Sequence, residues 1–231
     1  MASKLKDKLA FLNRVPLFEN LLPSEREALA ASLRSRRYSR GTMIFHQDDP
    51  GHSLYIIASG QVRIFRISAE GYEMSVAIFG EGDVFGELAI IDGQPRSASA
   101  VAMTDVETLI LHREDFVHHL HSSPRMAIGV LEVLSQRLRT TTDYAESLVA
   151  LDVYGRVVRE LVTLADQHGQ VTEAGVLIDV PLTQTELASL VGTSRESVNK
   201  VLGRLRDAGL VRLQRNRIIL LNIDEMRNWT H

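Results

Sequence analysis

The chain has 231 residues, 45% of them apolar and 24% charged, with a formal net charge of −3. That balance supplies a globular core, which excludes a disordered or collagen-like chain, and the length suits one large domain or two modest ones. The lack of cysteine excludes disulfides, iron–sulfur clusters, thiolate zinc sites and thiol redox sensing.

No apolar run approaches the roughly 20 residues of a membrane span. Lys4, Lys6 and Lys8 precede an Ala10-Phe11-Leu12 stretch too short for a secretory signal, so an amphipathic helix and a soluble, cytoplasmic protein are expected. The charge is unevenly spread. Residues 1–180 hold 18 Lys/Arg against 24 Asp/Glu, whereas residues 181–231 hold 8 against 5. An acidic body with a small basic tail module is the pattern to explain.

Residues 1–30 read as helical. A turn at Leu22-Pro23-Ser24 precedes a Glu25–Leu33 helix, with Ser24 as cap and Glu27 completing a capping box. From Tyr38 to Leu111 short strands follow: Met43–Phe45, Ser53–Ala58, Gln61–Ile67, Met74–Phe79, Ser97–Ala102 and Glu107–Leu111, with Gly-rich or acidic turns between them. Such spacing predicts a sandwich or barrel rather than a parallel sheet.

From Pro124 to about Ala150 the helical period returns. Leu131, Leu134, Leu138, Thr141, Ala145 and Leu148 follow 3-4-3-4-3 spacing, an a/d seam. The same pattern fits a helix lying on its own barrel; a parallel dimer helix is the favoured reading. A further helix (Val153–Gln167), a break at Gly169 and a strand over Val176–Val180 lead into the tail.

In the tail, Thr183-Gln-Thr-Glu186 reads as a capping box opening a short helix to Leu190, with Val191-Gly192-Thr193 as the turn. Thr193-Ser194-Arg195-Glu196 reads as a second box, opening a helix that stops at Gly209. This is helix-turn-helix spacing. On the second helix Val198, Leu202 and Leu205 face the first helix, while Arg195, Glu196, Asn199 and Lys200 share an exposed polar face at its N-terminal end. That end meets base edges in helix-turn-helix proteins. Arg204, Arg206, Arg212, Arg215 and Arg217 are read as phosphate contacts, and Leu210–Leu213 with Arg217–Leu221 as a hairpin wing.

The densest chemistry lies in residues 85–98. Gly86 permits close backbone approach, and Glu87–Ile91 can form a helical turn whose free N–H groups face an anion. Arg96 suits two phosphate oxygens, with the Ser97 hydroxyl beside it. Glu87 would be repelled by a phosphate unless a sugar hydroxyl separates them. Anion clamp plus carboxylate describes a nucleotide with a free 2′-hydroxyl; taken alone, the same residues more often make a surface loop with an internal ion pair.

This segment closely resembles the phosphate-binding cassette of cyclic-nucleotide-binding domains, and nearly the whole chain resembles the CRP/FNR family of bacterial transcription regulators, closest to its cyclic-AMP-responsive branch. Further matches are Ser53-Leu-Tyr-Ile-Ile-Ala-Ser-Gly60, Glu70-Gly-Tyr-Glu-Met74, Leu151-Asp-Val-Tyr-Gly-Arg156 and Thr193-Ser-Arg-Glu-Ser-Val-Asn-Lys200. The resemblance implies an α+β fold: a β-roll nucleotide-binding domain (1–124), a dimerisation helix and hinge (125–151) and a winged helix-turn-helix (152–231). It also implies ribose and phosphate contacts from Gly86, Glu87 and Leu88, phosphate contacts from Arg96 and Ser97, packing of Leu138 on the base, and hydroxyls of Thr141 and Thr142 against it. A polar pair interrupting an a/d seam agrees with a polar ligand there. Thr193, Ser194, Arg195, Glu196, Asn199, Lys200 and Arg204 are the expected DNA contacts. Lys200 stands where the reading helix of the family's best-known member has Arg, a point charge in place of a fork.

The expected effector is cyclic AMP, and the expected partners are palindromic duplex DNA, a second copy of the chain and RNA polymerase, with no membrane. A family member that senses another ligand, or binds DNA constitutively, is the alternative. Asp115, His118, His119 and His121 cluster on a predicted helix, but no complete metal-ligand set surrounds them. No nucleophile–base–orienter constellation stands out, so the protein is not read as an enzyme.

Overall fold

The computed structural model describes residues 2–214 and 217–229, with side chains from residue 7 onward, and these described residues form nine α-helices, one 3-10 helix and twelve strands. The chain divides into two units. The first takes residues up to Ile67 together with Ala77–Thr141; the second takes Ser68–Val76 and the chain from Thr142 onward.

The first unit opens with α1 (Ala2–Leu12), a 3-10 turn at Pro16–Phe18 and α2 (Pro23–Ser32). Helix α2 starts two residues earlier than the sequence predicts. Pro23 fits the first helical position because its φ is already helical and its missing N–H would be unsatisfied there. The cap is therefore Leu22, whose N–H donates to the Glu25 carboxylate at 2.7 Å, and Ser24 with Glu27 do not form the expected box.

The strands are β1 (Arg34–Tyr38), β2 (Met43–Phe45), β3 (Ser53–Ser59), β4 (Val62–Ile67), β5 (Glu73–Phe79), β6 (Val84–Phe85), β7 (Ser99–Ala102) and β8 (Val106–His112), with α3 (Glu87–Asp92) between β6 and β7. They form two antiparallel sheets, ordered β1-β8-β3-β6 and β2-β7-β4-β5. Tyr38, Ile57, Phe85 and Val106 of the first sheet meet Val62, Ala100 and Ala102 of the second, so the sheets face each other as a roll. Strand β3 is buried on both faces: Ile57 points into the roll, while Leu54 and Ile56 point to Leu12, Phe18, Leu29 and Phe116 of the covering helices. Its sequence is a continuous apolar run for that reason. Strand β1, absent from the predicted elements, pairs with β8 from Arg34↔Ile110 to Tyr38↔Val106 and exposes four of its five residues.

Helices α4 (Arg113–Ser122) and α5 (Pro124–Ala150) follow. Met126 and Val130 are buried in the helix-covered core, with Val133 and Leu134 packed against it. Leu131 and Leu138 are 63% and 68% exposed. One face of this helix lies on its own roll, and the seam positions Leu131 and Leu138 lie off it.

The second unit contains α6 (Val153–His168), β9 (Gly169–Thr172), β10 (Gly175–Ile178), α7 (Gln184–Val191), α8 (Arg195–Asp207), β11 (Val211–Gln214), β12 (Arg217–Leu220) and α9 (Ile223–Arg227). Its sheet is ordered β11-β12-β10-β9. Gly169, expected as a break, opens β9, whose register runs from Ile178↔Gly169 to Gly175↔Thr172. Asp152 caps α6 through Gly155 N at 2.8 Å, and Arg156 donates to Leu151 O and Val191 O, tying the helix start to the end of α7. Ser189 of α7 accepts from the Ser75 N–H at 2.7 Å and donates to Glu73 O at 3.0 Å, which fastens residues 73–75 to this helix. Among the described residues no helix is long and apolar enough to cross a membrane.

Candidate ligand pocket and nucleic-acid interface

The cassette of the first unit is built on two tight turns. Gly86 caps α3 in the left-handed region (φ 77°) and Gly93 closes it in the same region (φ 73°). Paired backbone bonds, Asp48 N to Arg96 O and Arg96 N to Asp49 O, both 2.9 Å, fasten the Arg96 segment to the 48–51 loop. Arg96 then turns inward. It is only 4% exposed, donating from Nη1 to Gly86 O at 2.6 Å and from Nη2 to Ser53 O at 2.8 Å. Its guanidinium carbon lies 4.3 Å from the Phe45 ring centroid and 5.7 Å from that of Tyr55. Tyr55 and Phe85 stack behind it at 5.1 Å.

Burial lowers the Arg96 pKa, opposed by the nearby Tyr55 and Glu87. A guanidinium still stays protonated in a protein, so a cation sits in a nearly dry aromatic cradle. Its Nε is buried without a hydrogen-bond partner among the described residues. Glycine lets backbone pack closely against it. A Cβ on Gly86 would lie 2.7 Å from Arg96 Nη1, and one on Gly51 would overlap Ala89 and stand 3.2 Å from the guanidinium. An unsatisfied buried donor on a cation, with glycine backbone packed against it, suits an anionic ligand.

Glu87 is 5% exposed, and its Oε1 accepts from Arg137 Nη1 of α5 at 2.5 Å. Arg137 also donates to Val84 O and lies 4.7 Å over the Phe79 ring. This arginine was not among the sequence-predicted site residues. Its place on a helix 50 positions away gives no local signal, and only the packing of α5 on the roll delivers it to Glu87. The same contact brings one face of α5 to the cassette, because Thr141 stands one turn after Arg137, with its Oγ1 donating to Arg137 O at 2.8 Å. Leu138 is exposed beside it, as are Leu88 and Ser97 at the cassette and Thr142 on α5. The structure therefore gathers Gly86, Glu87 and Arg96, with Arg137 added. Leu88, Ser97 and Leu138 lie at the exposed side.

In the second unit, α7 starts as predicted. The Thr183 N–H donates to Glu186 Oε2 at 2.7 Å, and Glu186 N donates back to Thr183 Oγ1 at 3.2 Å. Gly192 ends it in the left-handed conformation (φ 64°). The second box shifts by one residue. Ser194, not Thr193, caps α8, its Oγ accepting from Ser197 N at 3.2 Å, and Glu196 is one position short of the box acceptor. Val198, Val201, Leu202 and Leu205 are buried, whereas Arg195, Glu196, Asn199 and Lys200 are exposed together at the start of the helix. The Glu196 carboxyl is held below its ordinary pKa, first by its own backbone N–H and then by Ser194.

The remaining basic residues separate. Arg204 lies 4.5 Å over the Tyr154 ring, away from the N-terminal cluster. Arg206 pairs with Asp207 at 2.8 Å and Arg217 with Asp179 at 3.0 Å. Arg212 is exposed on β11, and Arg215 lies outside the described residues. Among the described residues no group of three or more His, Cys, Asp or Glu is placed to hold an ion. His119 is buried with a ring nitrogen 3.2 Å from Ser32 Oγ.

A model of the cyclic nucleotide-binding domain matches residues 35–123, and one of the Crp-like helix-turn-helix domain matches residues 155–229. The chain is 35% identical over 215 residues to the CRP-like cAMP-activated global transcriptional regulator of Mycobacterium tuberculosis, which covers 93% of this chain and 96% of that protein. It is 39% identical over 198 residues to the cyclic AMP receptor protein of Thermus thermophilus, covering 86% and 88%. Among solved structures, the c-di-GMP responsive global regulator CLP of Xanthomonas campestris aligns with a TM-score of 0.74 at 30% identity, over 85% of this chain and 98% of that one.

Proposed function

The chain belongs to the CRP/FNR family of DNA-binding transcription regulators, and from that premise we propose that it acts as a homodimer switched by 3′,5′-cyclic AMP on palindromic operators. The observation that carries the ligand half is Arg96: a buried cation with an unpartnered Nε, walled by Gly51 and Gly86, beside the carboxylate of Glu87. A ring-closed phosphodiester satisfies the cation, and a ribose hydroxyl separates it from the carboxylate. Gly86, Leu88 and Ser97 complete that contact.

The preference for adenine follows from Thr141. Its hydroxyl proton is used on Arg137 O, so its oxygen turns lone pairs outward. An outward acceptor suits the exocyclic amine of adenine and not the carbonyl of guanine. Leu138 packs on the base, and Thr142 meets it from the partner subunit. The functional division is then 1–124 for the sensor, 125–151 for dimerisation and hinge, and 152–231 for DNA.

Cyclic AMP shifts the dimer because it binds the DNA-competent arrangement more tightly than the resting one. In that arrangement the two α8 helices stand about 34–36 Å apart, one in each of two successive major grooves. Arg195, Glu196, Asn199 and Lys200 read bases; Thr193, Ser194 and Arg204 contact the backbone. The protein works in the cytoplasm with RNA polymerase as its further partner.

The test is calorimetric titration of the purified chain with cyclic AMP, cyclic GMP and cyclic di-GMP, followed by gel shifts with each. Tightest binding of cyclic AMP, with a matching gain in operator affinity, is expected. Tighter binding of cyclic di-GMP would reassign the effector. Equal operator affinity with no ligand bound would leave a constitutive DNA-binding protein.

A further inference from the structure

At the start of the helix-turn-helix, Gln184 Nε2 donates to Asn199 Oδ1 at 3.2 Å. Gln184 is the first residue of α7, half-buried, and Asn199 lies on the exposed face of α8 between Arg195 and Lys200. Gln184 and Arg195 line one cleft of about 480 Å³ between the two helices and the wing. The two amides therefore meet at the surface assigned to base reading.

A carboxamide has one acceptor oxygen with two lone pairs and one amino group with two donors. A free Asn side chain can present either end. Held through its oxygen by a residue of another helix, Asn199 keeps its amino group turned outward, with one lone pair of the oxygen left beside it. That is the donor–acceptor order that pairs with adenine N7 and N6 in the major groove. We propose that Gln184 is a specificity-positioning residue: it fixes the Asn199 carboxamide in the orientation that reads adenine. This inference rests on α8 being the DNA-reading helix.

The positioning role differs from a phosphate contact in what it changes. Loss of Gln184 frees the Asn199 amide to rotate, which weakens discrimination at one base pair per half-site and leaves the other positions as they were. Glu at position 184 can only accept, so it would draw the Asn199 amino group toward itself and turn the oxygen outward. An outward acceptor prefers a base that presents a donor, such as cytosine N4. Glu also suits the first turn of a helix electrostatically, so Gln184→Glu keeps α7 stable.

The experiment selects binding sites from a randomised duplex library with the full-length protein and cyclic AMP, comparing wild type with Asn199→Ala, Gln184→Ala, Gln184→Glu and Arg195→Ala, each checked by thermal melting. Asn199→Ala should reduce preference for adenine at one position about ten- to hundredfold. Gln184→Ala should reduce it at the same position about two- to tenfold, the worth of ordering one side chain. Gln184→Glu should move the preference there away from adenine. If Asn199→Ala flattens that position and both Gln184 variants leave it unchanged, or Gln184→Ala weakens all sequences alike, the positioning role is overturned while α8 remains the reading helix. If neither Arg195→Ala nor Asn199→Ala alters any position, the reading of α8 falls, and this inference with it.

Discussion

Arg96 concentrates the chemistry of the first unit at one side chain. Its charge is buried, its two Nη groups hold the backbone of Gly86 and Ser53, and its Nε has no hydrogen-bond partner among the described residues. Arg96→Leu should cost about 2–5 kcal/mol of cyclic nucleotide affinity, as for removing one member of a desolvated charge pair. Calorimetry on a variant shown to be folded checks this; unchanged affinity would refute the pocket. Thr141→Val keeps the shape and removes the outward oxygen. It should weaken cyclic AMP by about 0.5–1.5 kcal/mol and leave cyclic GMP unaffected, so the ratio of the two dissociation constants is the measurement. Glu87 was legible in the sequence as a carboxylate near an anion, but its partner Arg137 was not. A pair 50 residues apart has no periodicity to betray it.

At the scale of elements, α8 was legible because burial sorts its residues by face at helical spacing. Its cap was misplaced by one residue, since Thr193 and Ser194 are chemically equivalent as caps and only the turn after Gly192 chooses between them. Arg195→Ala should weaken discrimination at one base pair by about 1–3 kcal/mol, measured by competition gel shifts against single-substituted operators. A uniform loss across sequences would make Arg195 a phosphate contact instead. Strand β1 was illegible because four of its five residues are exposed and it pairs along a single edge, so no alternation marks it. Helix α9 is short and packs on α6, far away in sequence, whereas β9 pairs with the adjacent β10 but exposes all four of its residues, so no alternation marks it.

For the whole molecule, the seam on α5 supplies the dimer test. If α5 carries the proposed dimer, Leu131→Glu with Leu138→Glu should leave only monomer in sedimentation, with the roll intact, because neither side chain belongs to its core. The two units should also answer pH in opposite directions. In the first, burial, with His118 nearby, lowers the His119 pKa from 6.5, so the folded state resists a proton that the unfolded chain accepts. Its contribution is present above 6.5 and is lost as pH falls. In the second, burial raises the Glu160 carboxyl from 4.5 to about 7. Its contribution is present below 4.5 and is lost as pH rises toward about 7. His119→Gln should flatten the acid-side slope and Glu160→Gln the other, read from thermal melts across that range. An unchanged slope in either variant removes that residue from the account.

Local order was written in the chain itself. Strand and helix periods, the glycine turns, the Thr183–Glu186 cap, the cassette and the polar face of α8 all depend on neighbours within a few residues, and spacing encodes those directly. Tertiary structure alone decided which distant groups meet: Arg137 with Glu87, Gln184 with Asn199, and the face of α5 that lies on the roll. Those contacts arise from closing long loops around a shared core, and no short window of sequence contains both partners.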